Sequence, residues 1–165
     1  MKKVILFFAL IFLAAGTYAT ENFKRTDDVS KVSKNAVKQF ELDFQSAKDV
    51  SWRVENEFVK ANFSFEGKKM AALYDLQGTY LGAVEYLSYE QLPVQARSEI
   101  GKQYKNYNFS SALKIIARPY GSDLNDVGTY WVNLSNNVKD LFITVSPSSK
   151  IALQKSTAVE STAKN

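Results

Sequence analysis

Residues 59–82, VKANFSFEGKKMAALYDLQGTYLG, restrict the possible folds of this chain more than any other stretch. Val59, Ala61, Phe63 and Phe65 alternate with Lys60, Asn62 and Ser64, the two-residue period of a strand with one buried face. Glu66-Gly67 and Gln77-Gly78 break the alternation with residues suited to tight turns. Residues 130–153, YWVNLSNNVKDLFITVSPSSKIAL, follow the same plan. A shift of 71 positions lays Asn62 on Asn133, Ser64 on Ser135 and Lys68 on Lys139 without a gap. Ala61 and Phe63 then meet Val132 and Leu134, and Met70 and Ala72 meet Leu141 and Ile143. Two such meanders require antiparallel sheet.

A helix is predicted ahead of each copy. Val29, Val32, Ala36, Val37, Phe40, Phe44 and Ala47 recur at spacings of three and four, which marks an amphipathic helix over about 29–47. Asp27 or Asp28 suits its N-cap. Ser88-x-x-Gln91 has the form of a capping box, and Pro93 suits the first turn of a helix over about 93–105. The expected fold class is α+β, with two helices packed on one face of antiparallel sheet in the order α-β4-α-β4. The pattern predicts a duplicated helix-plus-sheet unit, with halves at about 29–87 and 88–154 of one domain spanning 29–154. Trp52 alternates with Val50 and Val54 and is expected to pack on the first helix near Phe40 and Phe44.

The ends set the destination. Lys2 and Lys3 precede an apolar run, Val4–Ala15, and Thr17-Tyr18-Ala19 puts small residues where a signal peptidase reads. This is the pattern of a secretory signal peptide over 1–19, cleaved after Ala19. The apolar run is shorter than the ~20 residues of a spanning helix, so no integral membrane segment is expected after cleavage. Residues 20–28 read as a flexible lead-in and 155–165, rich in Ser, Thr, Ala and Lys, as a disordered tail. The expected location is periplasmic or secreted. The sequence contains no Cys, hence no disulfide and no lipid-bearing N-terminal Cys. Without Lys2 and Lys3 the chain holds 19 basic and 17 acidic residues, a net charge of +2. The basic residues are scattered, so no nucleic-acid groove is expected.

At these residues the chain resembles a known family. The segment FQSAKDVSWRVENEFVKANFSFEGKKMAALYDLQGTYLG with LSYEQLPVQARSEIGKQY resembles the PepSY-like, β-lactamase-inhibitor-protein-like (BLIP-like) domains of bacterial envelope proteins. The carrying elements are Ala47-x-x-Val50-x-Trp52, the turn Tyr74-Asp75-x-x-Gly78, and Leu92-Pro93 opening a helix. The resemblance covers Phe44 to about Tyr107 and, more loosely, the rest of the chain after the leader. It implies helices on one face of an antiparallel sheet, an exported location and a non-enzymatic role. Some relatives of this architecture inhibit proteases or β-lactamases. Those inhibitors carry disulfides, which this chain lacks.

Catalysis finds little material. His is absent as well as Cys, which removes the usual ligands for zinc and copper and the Ser–His and Cys–His nucleophile pairs. No catalytic residue, metal ligand or cofactor is assigned, and the chain is read as a non-enzyme. Asp123–Gly128 has a faint calcium-loop look, but Val127 and Leu134 fall where such a loop needs oxygen ligands. The strand face turned from the helices is the stronger candidate. If Val132, Leu134, Leu141 and Ile143 face the helices, Trp131 and Phe142 face away. If Leu113, Ile115 and Ala117 are core, Ile116 and Tyr120 face away, with Arg118 beside them. Trp131, Phe142, Tyr120, Arg118 and Ile116 are therefore the candidate contacts of a protein or peptide partner. The alternative is a carrier that encloses a small apolar ligand between helices and sheet, lined by Phe40, Phe63 and Tyr104.

Overall fold

The computed structural model describes residues 29–158. The predicted leader, the lead-in with Asp27 and Asp28, and residues 159–165 lie outside the described residues. After a single 3-10 turn at Val29–Lys31 come helix α1 (Lys34–Asp43) and strands β1 (Lys48–Val54), β2 (Phe58–Phe65), β3 (Lys68–Asp75) and β4 (Tyr80–Leu87). A second 3-10 turn, Tyr89–Gln91, leads to α2 (Val94–Gln103), β5 (Asn108–Ala117), β6 (Tyr130–Ser135), β7 (Lys139–Val145) and β8 (Ile151–Ala158).

The strands form one eight-stranded sheet in strict chain order, β1 to β8. This corrects the expected fold class. The architecture is a single antiparallel sheet with two ten-residue helices, not a duplicated unit of helix and sheet. The compact parts of the chain also disregard the repeat boundary. Residues 29–86 group with Leu113–Gly128, while Leu87–Ala112 groups with 129–158. The division therefore runs through β5. Matching alternation on every strand lets each pair with the next in sequence, so two similar meanders continue as one ladder.

Local chemistry explains the shorter helices. Ser33 caps α1: its hydroxyl accepts from the Asn35 N–H (3.3 Å) and donates to the Gln77 carbonyl (3.0 Å), tying the helix start to the β3–β4 turn. At the other end the Phe44 N–H closes on the Phe40 carbonyl, and Ala47 then bonds back to Phe44. In the β3–β4 turn the Asp75 carboxylate accepts from the Gln77 N–H (3.0 Å) and the Thr79 N–H (2.7 Å). Burial pulls the Asp75 carboxyl upward, but the bonds from Thr79, Gln77 and Gly78 outweigh it and hold the group below its ordinary range. The Ser88 N–H donates to the Gln91 side chain at 2.8 Å as the box pattern requires, but around the 3-10 turn; α2 begins only after Pro93. The expected tail is corrected too, since residues up to Ala158 pair with β7.

The first compact unit packs α1 on its strands through Val32, Ala36 and Phe40 against Val59, Ala61, Phe63, Met70, Ala72, Tyr74 and Ala83. Phe40 lies at the centre, its ring 4.9 Å from Phe63, 5.3 Å from Phe44 and 5.4 Å from Trp52. Trp52 is half-buried there, as expected beside Phe40. The Tyr74 hydroxyl is buried with no hydrogen-bond partner, and burial first, then the Asp43 charge, pushes its ionisation well above the usual phenol range. In the second unit Leu92, Ala96 and Ile100 pack on Ala112, Val132, Leu134, Leu141, Ile143 and Val145.

Candidate functional site

Strand alternation leaves in each unit a second face, turned from its helix. In the first unit Val59, Ala61 and Phe63 belong to the α1 core, so Phe58, Lys60 and Asn62 lie on the opposite side of β2. By register Lys60 stands opposite Leu73, Asn62 opposite Ala71, and Ala71 opposite Val84. Phe58, Ala71, Leu73, Val84, Leu113 and Ile115 are all buried in the full chain and belong to neither helix core. On this face the Tyr86 hydroxyl donates to Asn62 Oδ1 at 3.3 Å.

Lys60 is the exception in charge. It is 1% exposed. Across β1 it stands opposite Arg53, and Arg53 Nε lies 2.6 Å from Glu55 Oε1. That ion pair is close without being aligned as a hydrogen bond, for Glu55 Oε1 lacks a hydrogen-bond partner. Burial is the main force lowering the Lys60 ammonium; Arg53 adds to it and Glu55 opposes it. The sequence disguised this residue. A lysine between apolar strand positions reads as a solvent position, and the signal lay in the apolar neighbours of the same parity, Phe58 and Leu73.

In the second unit Val132, Leu134, Leu141 and Ile143 face α2, as their alternation requires. Trp131, Asn133 and Phe142 take the opposite side. Trp131 pairs with Thr144 and Asn133 with Phe142, which makes Trp131 and Phe142 diagonal neighbours. Both are buried in the full chain, at 6% and 5% exposure. Asn133 lies between them in register, 8% exposed, and its Oδ1 has no hydrogen-bond partner.

The register therefore makes Trp131 and Phe142 neighbours within the second unit, while Ile116, Arg118 and Tyr120 belong to the first. Ile116 is half-buried against the α1 core, the reverse of the expected parity, because Leu113 and Ile115 occupy the other face of β5. Arg118 and Tyr120 lie beyond the end of β5, in the long connection to β6. The Arg118 guanidinium holds Asp126 with two hydrogen bonds, one of 2.9 Å, and the Gly128 N–H reaches back to the Ile115 carbonyl at 2.8 Å. Asp126, an oxygen of the faint calcium loop, is thus engaged by Arg118. Tyr120 is fully exposed at the tip, with Leu124 exposed nearby.

The three residues expected to line a carrier cavity are not gathered around one space. Phe40 and Phe63 pack ring to ring, and Tyr104 belongs to the core of the other unit. Beside α1 lies a surface depression of about 460 Å³ lined by Phe40, Phe44 and Trp52 among others. Among the described residues no group of three acidic side chains gathers as a metal site, and no helix is long and apolar enough to cross a membrane.

Comparison with known proteins speaks to the fold. No family model matches the chain, and no curated protein matches it. Solved structures do. A BLIP-like protein of Bacteroides fragilis aligns over 78% of this chain and 86% of its own at a TM-score of 0.59 and 15% identity. A DUF2874 family protein of Bacteroides ovatus aligns over 79% and 89% at a TM-score of 0.61 and 16% identity. A "putative periplasmic" protein of Bacteroides eggerthii aligns over 78% and 89% at a TM-score of 0.59 and 6% identity. The chain has the BLIP-like fold, in agreement with the resemblance read from its residues.

Proposed function

We propose that this protein is an exported, non-catalytic binding module of the bacterial envelope that holds a polypeptide partner on the strand face turned from its helices. One observation carries the reading: in each unit that face is mostly apolar. A sheet face left to water alternates polar against the buried side. Here Phe58, Leu73, Val84, Leu113 and Ile115 in one unit, and Trp131 and Phe142 in the other, occupy positions that the helix cores do not need. Trp131 and Phe142 are the proposed anchors, since interface energy gathers on a few aromatic residues. Tyr120, held out on a loop fixed by Arg118 and Asp126, is a separate contact point.

A polypeptide fits better than a small ligand, because the α1 core is filled by ring contacts. The periplasmic or secreted location rests on the leader pattern of residues 1–19, and the name of the Bacteroides eggerthii protein agrees with it. The reading concerns the chain from Thr20 onward. Its test is a partner cross-linked in the envelope and then titrated with the wild type and with the double variant Trp131→Ala, Phe142→Ala. Loss of about 2 kcal/mol or more of binding, with an unchanged circular dichroism spectrum, is expected. Unchanged binding would move the site elsewhere, and an unfolded variant would make these two residues ordinary core.

A further inference from the structure

Strand β1 is one edge of the sheet, paired with β2 alone. An antiparallel ladder alternates residue pairs that exchange two hydrogen bonds with pairs that exchange none. The Glu55 N–H bonds the Phe58 carbonyl at 2.8 Å, so Glu55 and Phe58 are a bonded pair. Counting back through the register, Arg53–Lys60 and Ser51–Asn62 are bonded pairs, while Val54–Val59 and Trp52–Ala61 are not. The N–H and C=O groups of Trp52 and Val54 therefore point away from β2, into the space beside the sheet. Before Ser51 the register shifts and Asp49 has φ +54°, which ends the regular edge there.

The same stretch borders the depression beside α1. Phe40, Glu41 and Phe44 line it on the helix side, and Ala47, Val50 and Trp52 on the strand side. Trp52 and Val54 share the α1 face of β1, because their partners Ala61 and Val59 belong to the α1 core. Trp52 is half-buried and Val54 exposed, so an apolar strip runs along an edge with outward main-chain groups. At about 460 Å³ the depression has the size of a ligand cleft. Glu41 is the charged residue of its lining, exposed and without an ion pair among the described residues.

We propose that the groove between α1 and β1 is a further docking site, which takes an extended peptide as an added strand. Outward donors and acceptors at every second residue select a strand, since a helix spends its own main-chain groups internally. Peptide residues opposite Trp52 and Val54 put their side chains on the α1 face, over the depression. The peptide is therefore apolar at alternate positions, with a basic residue of the same parity to meet Glu41. The site lies wholly in the first compact unit and stands or falls without the reading of Trp131 and Phe142.

The probe is the peptide acetyl-TKTLTLT-amide, whose Lys and Leu side chains share one strand face. Binding is read from amide spectra of the ¹⁵N-labelled chain from Thr20 to Asn165. The peptide is expected to bind saturably, shift the Trp52 and Val54 amides and slow their exchange. N-methylation of its two Leu residues, whose N–H groups face β1, should weaken binding about 10-fold, the worth of two hydrogen bonds. Val54→Pro removes an outward N–H and no ladder bond, a change that an edge strand tolerates, and should weaken binding as well. Glu41→Lys, on an exposed helix position, should reverse a preference of about 3-fold for this peptide over its Lys-to-Glu counterpart. That reversal decides alone if Val54→Pro unfolds. Absence of binding, shifts confined to other residues, or affinity indifferent to N-methylation overturns the proposal. So does exchange at Trp52 and Val54 that is already slow in the free chain. Slow exchange at every protein concentration marks a segment of the same chain in the groove, and protection that grows with concentration marks a second copy.

Discussion

Phe40→Ala should damage the fold more than any change of Trp52. Phe40 is 4% exposed and sits between three rings at 4.9, 5.3 and 5.4 Å. Emptying a buried Phe site costs about 3–5 kcal/mol, through lost transfer energy and the cavity left behind. The upper half of that range applies here. The facing atoms come from a helix and from strands β1 and β2, and rigid aromatic neighbours collapse poorly into the space. Trp52 is larger but half-buried, so part of its surface is already in water and Trp52→Ala should cost about half as much, ~2 kcal/mol. Against a total stability of about 5–15 kcal/mol, the Phe40 change is severe and the Trp52 change tolerable. In urea, with a slope of about 2 kcal/mol per M, 4 kcal/mol lowers the midpoint by roughly 2 M and 2 kcal/mol by roughly 1 M. The double variant should fall short of the sum by about 0.5–1.5 kcal/mol, the energy of the edge-to-face pair. A Phe40→Ala loss under about 1 kcal/mol, or a Trp52→Ala loss that exceeds it, would show that the core is not centred on Phe40.

Two further outcomes follow from backbone geometry and charge. Gly78 has φ +93°, and a Cβ there would stand 2.7 Å from the Ala36 nitrogen and from Ser33 Oγ. Gly78→Ala should therefore cost about 2–3 kcal/mol and fray the start of α1, visible as faster amide exchange at Ala36 and Val37. For Lys60 the folded chain binds its proton more weakly than the unfolded chain, because burial lowers the ammonium. Its cost to stability is full below the folded value, fades as pH rises through that value, and is gone above the unfolded value near ~10.4. Lys60→Met should be more stable than wild type at pH 7 by about 1–4 kcal/mol. That advantage should shrink in urea melts as the pH approaches 10; an advantage that grows with pH would reverse the sign argued here.

The period of two was the legible part of the fold. Val59–Phe65 and Val132–Leu134 declared their buried sides, and the strands formed near the places their alternation marked. The capping residues were partly legible. Ser88 and Gln91 paired as the box pattern requires, whereas Ser33 replaced the expected Asp27 or Asp28 because a 3-10 turn precedes α1. What alternation could not show is which strand each edge joins. A repeated pattern describes two separate sheets and one continuous sheet equally well, and the pairing of eight strands in chain order is decided by tertiary packing. Parity on β6 and β7 was readable because both strands are short and regular. On β5 it was not: Leu113 and Ile115 are as apolar as Ile116, so composition favours neither face and the reading chose the wrong one. The buried Lys60 was invisible for the same reason in reverse, since a charged residue in an alternating strand is assigned to water by default.

The central proposal is that Trp131 and Phe142, on the strand face turned from α2, anchor a polypeptide partner. The sequence has two tryptophans, so Trp52→Phe leaves Trp131 as the sole indole reporter. The direct measurement is acrylamide quenching and emission of that variant, made as the chain from Thr20 to Asn165, before and after addition of the cross-linked partner. Trp131 is 6% exposed, so acrylamide quenching in the free protein should be modest. The account predicts that the partner changes the emission of Trp131 and lowers its quenching further. Emission and quenching left unchanged by a bound partner would contradict it.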